Sequence, residues 1–333
     1  MTLKEFWRIL SKKELGQFYT KQSQYIMQGL LDIFPKDAIV VDPFAGEFDL
    51  LNLLSNKKEA YDIDPKNNET VKRNTLLNPP SYSGKWVITN PPYLARNKTE
   101  DKTLFDKYDL DDLYKISLKT IMTCEGGAIV LPINFLSSVS FDIRKDFLSN
   151  FVIQRVNVFQ ERVFEDTSYT VCSFNFIKRK NEEQEIDFFF FPEKEKETFV
   201  LKKEENYTFG GEIYNLKKSS VNVKRLLMGQ QPNSNLFLYA VDTGTKGGEI
   251  RLEMKDYFYG KNTDRAFATI VLDKNFTKEE QEKIVTLFNE KLDHYRKKYR
   301  SLFLPNYRDK YRKRIPFKLA YLLISNCILN IEQ

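Results

Sequence analysis

Hydrophobic and polar positions fall into two regimes along this chain. In the first half, short apolar runs stop at Asp, Asn, Pro or Gly and alternate with segments of helical spacing, which predicts buried parallel strands joined by helices. Residues 4–15 carry Phe6, Trp7 and Leu10 on one side of an amphipathic helix ending at Gly16-Gln17-Phe18-Tyr19-Thr20. Thr20 then caps a helix over 21–33, with Ile26, Leu30 and Ile33 at helical spacing. A strand over 38–41 closes at Asp42 and breaks at Asp42-Pro43-Phe44-Ala45-Gly46 into a helix from about Asp49. A second strand ends at Tyr61-Asp62-Ile63-Asp64-Pro65, a third near Asn74-Thr75-Leu76-Leu77, and a fourth, 86–89, runs into Asn90-Pro91-Pro92-Tyr93. Residues 94–112 read as a mobile loop without clear period. Beyond them come a helix (113–123), a strand (128–131) opened by Gly126-Gly127, a helix (141–148), and strands at 153–159 and 170–177. The loop 163–169 between the last two offers Phe164 and Tyr169.

After Lys178 the pattern changes. Charge runs surround Phe188-Phe189-Phe190-Phe191, and the alternation of strand and helix stops. This predicts a domain boundary near residue 180, separating a domain over 1–180 from one over 181–333. The second half shows short β-like pieces (237–241, 266–272), glycine turns and a helix over 278–298. The architecture expected is α/β with a mostly parallel sheet, followed by a smaller α+β domain.

Composition narrows the chemistry. Hydrophobic residues make up 41% of the chain and no apolar run is long enough to span a bilayer, while residues 1–11 lack a secretory apolar stretch, so a cytoplasmic protein is expected. His294 is the only histidine, which excludes a histidine-based triad or metal centre; no metal site is expected. Cys124, Cys172 and Cys327 are isolated and suit reduced core thiols. The net charge of +6 is concentrated late, where Arg300, Arg308, Lys310, Arg312, Lys313 and Arg314 are interleaved with aromatics. That mixture suits contacts to phosphates.

The chemistry converges on strand ends. Asp42, Asp62 and Asn90 close three successive strands and would share the carboxyl edge of one parallel sheet, where doubly wound folds bind ligands. Gly46 lets a ligand approach the backbone, and an acid some twenty residues beyond the first strand suits ribose hydroxyls. Neither a GxGxxG fingerprint nor a lysine-bearing P-loop is present, which points to a nucleoside cofactor and not a phosphate cradle. The two prolines of Asn90-Pro91-Pro92-Tyr93 fix a rigid turn presenting an amide oxygen, a backbone carbonyl and an aromatic ring, features that fit an amino group on a flipped base.

Laid out in this way, the chain resembles the amino-group DNA methyltransferases, specifically the adenine-N6 enzymes of the gamma arrangement. The likeness covers the first half motif by motif and the second half in position and character. It implies a Rossmann-like class I methyltransferase domain using S-adenosyl-L-methionine, with a C-terminal target-recognition domain. It also implies that Thr20 and the loop Asp42, Pro43, Phe44, Ala45 and Gly46 hold the cofactor, that Asp62 with Ile63 takes the ribose position, and that Asn74 stands where an Asp commonly reads the cofactor's adenine. Asn90, Pro91, Pro92 and Tyr93 match the catalytic motif, and Phe164 matches the aromatic that sandwiches the flipped base, with Tyr169 nearby. Phe48 departs from the small residue or second Gly of many relatives. The resemblance implies a monomer acting on double-stranded DNA within a restriction-modification type of system, and it allows for a separate cognate restriction endonuclease. RNA, cytosine N4 and a protein glutamine remain alternative methyl acceptors, as does a DNA-binding protein on an inactive methyltransferase scaffold.

Overall fold

A computed structural model describes residues 20–137, 142–165, 169–179, 184–307 and 310–333. The helix expected over 4–15 and most of the Gly16–Thr20 motif lie outside the described residues.

The first sheet is built from β1 (Ile39–Asp42), β2 (Lys57–Asp62), β3 (Thr70–Lys72), β4 (Trp86–Thr89), β5 (Gly126–Pro132), β6 (Phe151–Phe159), β7 (Val171–Lys178), β8 (Gln184–Phe191) and β9 (Glu195–Leu201). Their order is β3-β2-β1-β4-β5-β7-β6-β8-β9. β3, β2, β1, β4 and β5 run parallel, β7 is antiparallel to both its neighbours, and β9 is antiparallel to β8. This is the mixed α/β architecture with a mostly parallel sheet that the alternation of strands and helices predicted. β5 is buried along its whole length, as an apolar run covered on both faces must be. The chain leaves β1 toward β2 and later returns to pair β4 on the other side of β1. That order makes a topological switch at β1, and a crevice forms outside the carboxyl ends of strands at such a point.

Several elements differ from expectation. The helix expected over 21–33 is a single turn (Ser23–Ile26) and a 3-10 turn (Leu31–Ile33). Between them Gly29 sits at φ +71°, and a Cβ there would lie 2.3 Å from the Arg155 guanidinium, so this backbone is bent to let an arginine pass. The helix expected from Asp49 is reduced to a 3-10 turn, Leu51–Leu53. The third strand ends at Lys72, before Asn74. Residues 94–112, expected to be a mobile loop, contain helix α1 (Thr103–Tyr108), and Ala95 bridges to Asp112. Phe105 is buried in a cluster with Leu76, Leu113 and Ile116, against which Phe44, Leu94 and Leu110 pack. The segment is therefore a folded cover. Helix α2 (Leu113–Thr120) follows, capped by the Asp112 carboxylate, and α3 (Asp142–Asn150) precedes β6.

Apart from a short segment at 136–139 that groups with the second, the chain separates into two compact units at Lys203/Glu204. The boundary expected near 180 falls later, because β8 and β9 extend the first sheet. Their charged residues alternate with Ile186, Phe188 and Phe190, which are buried, as a strand with one covered face requires.

The second unit has a four-stranded antiparallel sheet in the order β10 (Val223–Arg225), β13 (Phe267–Leu272), β11 (Leu236–Tyr239), β12 (Arg251–Met254). Helix α4 (Lys278–Lys298) starts at a capping box formed by Thr277 and Glu280 and buries Ile284, Phe288, Leu292 and Tyr295 at helical spacing. Helix α5 (Phe317–Glu332) is apolar and largely buried. Among the described residues no helix is long and apolar enough to cross a membrane.

Candidate active site

The carboxyl ends of β1, β2 and β4 lie side by side, so the sheet brings Asp42, Asp62 and Asn90 to one edge as their positions in the sequence required. Asp42 is buried, and its Oδ1 accepts from the Phe44 amide at 3.0 Å and from the Thr89 hydroxyl at 2.8 Å. Burial pushes its carboxyl up to about 7, against the pull of those two hydrogen bonds and with the negative charge of Asp62 adding to the rise. Asp62 is also buried; its Oδ2 accepts from the Gly46 amide at 2.9 Å and its Oδ1 from the Asp64 amide at 2.8 Å. Ile63 follows, half-buried. One acid thus closes the turn from within its own strand, and the other braces it from the next strand.

The turn is fixed from two further sides. The Ala45 amide donates to the Tyr61 carbonyl at 2.9 Å, and the buried Thr75 hydroxyl donates to the Pro43 carbonyl at 2.9 Å. Phe48 occupies a left-handed backbone conformation, φ +74°, with its ring buried. This is a conformation that favours glycine, and holding a phenylalanine in it costs about 1–3 kcal/mol. The departure noted at position 48 is therefore a difference of side chain on a glycine-like backbone. Asn74 does not end a strand. Its Oδ1 accepts from the amides of Leu76 at 3.2 Å and Leu77 at 3.1 Å, so that oxygen is occupied by its own turn.

Thr20, Asp42, Phe44, Ala45, Gly46 and Asn90 line one cleft, together with Glu47, Asp49 and Leu50. The acids were missed as lining residues, although two of them close to Gly46, where a phosphate-binding turn would avoid negative charge, were legible as a preference for a cation. Asp49 has its carboxyl raised by burial and by the neighbouring charge of Glu47.

Asn90 is held at both ends. Its Nδ2 donates to the Thr20 hydroxyl at 3.0 Å, and its Oδ1 accepts from the Tyr93 hydroxyl. The Tyr93 hydroxyl also lies 3.0 Å from the Val130 carbonyl on β5, and the whole residue is buried, as is Pro91. The Tyr169 ring meets the Tyr93 ring edge-on, with centroids 6.2 Å apart, and is 51% exposed. Phe164, by contrast, is 3% exposed. Of the two aromatics in this loop, Tyr169 is the one beside Tyr93 and open to solvent. Burial raises the hydroxyls of Tyr93 and Tyr169, and Asp112, which was not foreseen, sits close enough to add to both; burial likewise pushes the Asp112 carboxyl up to about 7.

The late basic residues belong to the second unit. Arg312 donates to the Thr243 carbonyl at 3.0 Å, and Arg314 is half-buried. Lys310 is exposed and Arg300 partly so, while Arg308 lies outside the described residues. Lys313 is buried, its backbone amide on Asp242 and its ammonium over the Tyr311 ring at 4.0 Å, so it is turned away from any polymer at the surface.

No protein-family model and no curated protein matches the sequence. Solved structures do overlap it. A modification subunit assigned to a type I restriction enzyme of Vibrio vulnificus shares 15% identity at a TM-score of 0.44, over 64% of this chain and 54% of that one. The methyltransferase subunit of a type I restriction-modification system of Streptococcus thermophilus shares 17% at 0.40, over 53% and 48%. The M protein of the type I restriction enzyme EcoKI shares 11% at 0.38, over 98% and 71%. This chain thus matches about half the length of the first two. All three overlaps stay below a TM-score of one half, so the reading of the site rests on its own geometry.

Proposed function

We propose that this protein is an S-adenosyl-L-methionine-dependent methyltransferase acting on N6 of a flipped adenine in duplex DNA. The observation that carries the reading is the meeting of Asn90-Pro91-Pro92-Tyr93 with an acid-lined cleft at the switch point of a parallel sheet. The cleft fits the cofactor by charge: Asp42, Glu47 and Asp49 face a space suited to a ligand with a sulfonium and an ammonium group. Thr20, Asp42, Phe44, Ala45 and Gly46 would hold that ligand, with Asp62 and Ile63 toward the ribose and Asn74 setting the turn beside the adenine end. When bound, S-adenosyl-L-methionine supplies an electrophilic methyl group.

The chain's own part is to hold and reshape the amine. The adenine N6 lone pair is conjugated with the ring and is a poor nucleophile. Asn90 Oδ1 and the Pro91 carbonyl would each accept one of its N–H bonds, drawing the nitrogen toward a pyramidal geometry that frees the lone pair. The bond from Asn90 Nδ2 to Thr20 fixes which end of the amide is the acceptor. The oxygen that accepts from the Tyr93 hydroxyl is the one the amine would use, so base binding would replace an internal hydrogen bond with one to substrate. Tyr93 and Tyr169 would stack on the extruded base, each contact offsetting about 1–3 kcal/mol of the unstacking cost, while buried Phe164 supports the loop. Pro92 keeps the turn rigid, and the second unit would engage the duplex through Arg300, Arg308, Lys310, Arg312 and Arg314.

Asn90→Ala is expected to abolish methyl transfer while cofactor binding, followed by calorimetry, survives. Turnover near that of the parent would sink the assignment. Methylation-aware sequencing of DNA and RNA from a methylation-free host expressing the chain identifies polymer, base and site together.

A further inference from the structure

The sheet of the second unit has one face covered by α4 and α5 and one face that is aromatic. Phe237 and Tyr239 on β11 pair with Thr269 and Phe267 on β13 and with Glu253 and Arg251 on β12. These residues share a face because side chains alternate along strands. The loop 255–266 folds over this face, with Tyr257 edge-on to Phe237 (centroids 5.0 Å) and Tyr259 edge-on to Phe267 (4.9 Å).

Against that loop stands a tight reverse turn, Leu227-Met228-Gly229-Gln230. The Gln230 amide donates to the Leu227 carbonyl at 3.0 Å, and the Leu227 amide donates to Gln230 Oε1 at 2.9 Å. Gly229 at φ +83° supplies the conformation the turn needs, which leaves Met228 beside it at the tip. The turn is pinned to the arch by the Met228 amide, which donates to Asn262 Oδ1 at 3.2 Å. Arg225 ties the same arch down, donating to the carbonyls of Asp264 (2.9 Å) and Asn262.

This well-braced ridge presents apolar groups to water. Met228 is 79% exposed, and Leu227, Tyr257 and Phe258 are exposed beside it. Four of the ten large hydrophobics exposed among the described residues thus lie on two loops bonded to each other, which marks a contact surface. The rim is cationic: Lys224, Lys261 and Arg265 are exposed. Of the two acids in the arch, Asp264 is engaged by the Tyr259 hydroxyl and two backbone amides, and Asp256 lies 3.5 Å from the Asn235 amide. Arg314 is held below the usual arginine range by burial first and then by the positive charge of Arg265, so these two cations lie close to each other.

We infer that the ridge formed by the Leu227–Gln230 turn and the 255–266 arch docks into a groove of duplex DNA, with Met228 against base edges and Lys261 and Arg265 on the flanking phosphates. The inference rests on the DNA reading above and adds a contact surface that the basic segment 300–314 does not contain. A rigid apolar tip with cations on its rim suits DNA because phosphates flank a groove whose floor and base steps accept apolar side chains, methionine among them. A protein partner would also accept Met228 and Leu227, but it would not require the surrounding positive charge.

The test is photocrosslinking to a short duplex pool of random sequence at low salt. Met228→p-benzoylphenylalanine is expected to give protein–DNA adducts that stop primer extension at bases. The same replacement at Glu282, exposed on α4, is expected to give few. Equal yields at the two positions would overturn the inference. In parallel, Lys261→Ala and Arg265→Ala should each flatten the dependence of log K on log salt by about 0.9. Slopes identical to the parent would remove the phosphate contacts. Adducts at Met228 with no methyl on any DNA would defeat the methyltransferase reading and leave the ridge standing. Methylated DNA with no adduct above the Glu282 level would do the reverse.

Discussion

At Asp42 the site's electrostatics and its folding are in conflict. The folded chain holds this carboxyl at about 7, while an unfolded chain releases the proton near 3.8. Across that window the folded state binds more protons, so the contribution of Asp42 to stability is greatest in acid, falls as pH rises toward 7 and is level above it. Asp112, raised to the same value, adds to the slope. Asp42→Asn is therefore expected to flatten the rise of the urea midpoint toward acid, though not to remove it. A cationic ligand favours the ionised carboxylate. Cofactor affinity should then climb with pH up to about 7, with proton uptake by buffer visible in calorimetry, and Asp42→Asn should lose both effects. The two loop aromatics separate in the opposite manner. Phe164→Ala empties a buried site and should cost about 3–5 kcal/mol of stability by denaturant unfolding. Tyr169→Ala, at a half-exposed ring, should leave unfolding nearly unchanged and lower kcat/KM roughly tenfold through lost base stacking. If activity follows Phe164 at unchanged stability instead, the stacking roles are reversed.

At the scale of elements, legibility followed burial. The strands Ile39–Asp42, Trp86–Thr89 and Gly126–Pro132 were plain in the sequence because strands covered on both faces must be continuously apolar. Asn90 was legible for the same reason, since it terminates such a strand. β8 was hidden because a strand with one open face mixes charge with phenylalanine, even though it is paired on both sides. The cover over 94–112 was hidden for another reason: its helix is six residues long, and its apolar contacts with Phe44 and Leu76 come from segments distant in sequence. Those contacts tie the cover to the turn after β1 and to the turn after β3. Phe105→Ala should loosen it, speeding amide exchange across 94–112 and raising KM for S-adenosyl-L-methionine more than it lowers kcat. Exchange unchanged in that segment would show that the cluster does not hold the cover down. The capping of Asp112 on α2, and the pairing of Ala95 with Asp112, fix the two ends of the same segment.

For the whole molecule, the division at Lys203/Glu204 matters more than the change of composition near residue 180, because strand pairing decides which residues unfold together. β8 and β9 belong energetically with the sheet that carries Asp42 and Asn90. The second unit has its own core between its sheet and α4 and α5, and among the described residues those lining the acid-lined cleft all belong to the first unit. A ligand stabilises only the structure that binds it, by RT ln(1 + [L]/Kd), or about 2.7 kcal/mol at a concentration one hundred times Kd. Scanning calorimetry of the full chain should accordingly show two transitions. S-adenosyl-L-methionine should move one of them upward and leave the other in place, and Asn90→Ala should preserve that shift if, as proposed, the amide serves the acceptor base. A single transition that moves as a whole would mean that the two units unfold as one. A shift lost in Asn90→Ala would instead make this residue part of the cofactor's own binding, and the division of labour between the acid-lined turn and the Asn90–Tyr93 turn would have to be redrawn.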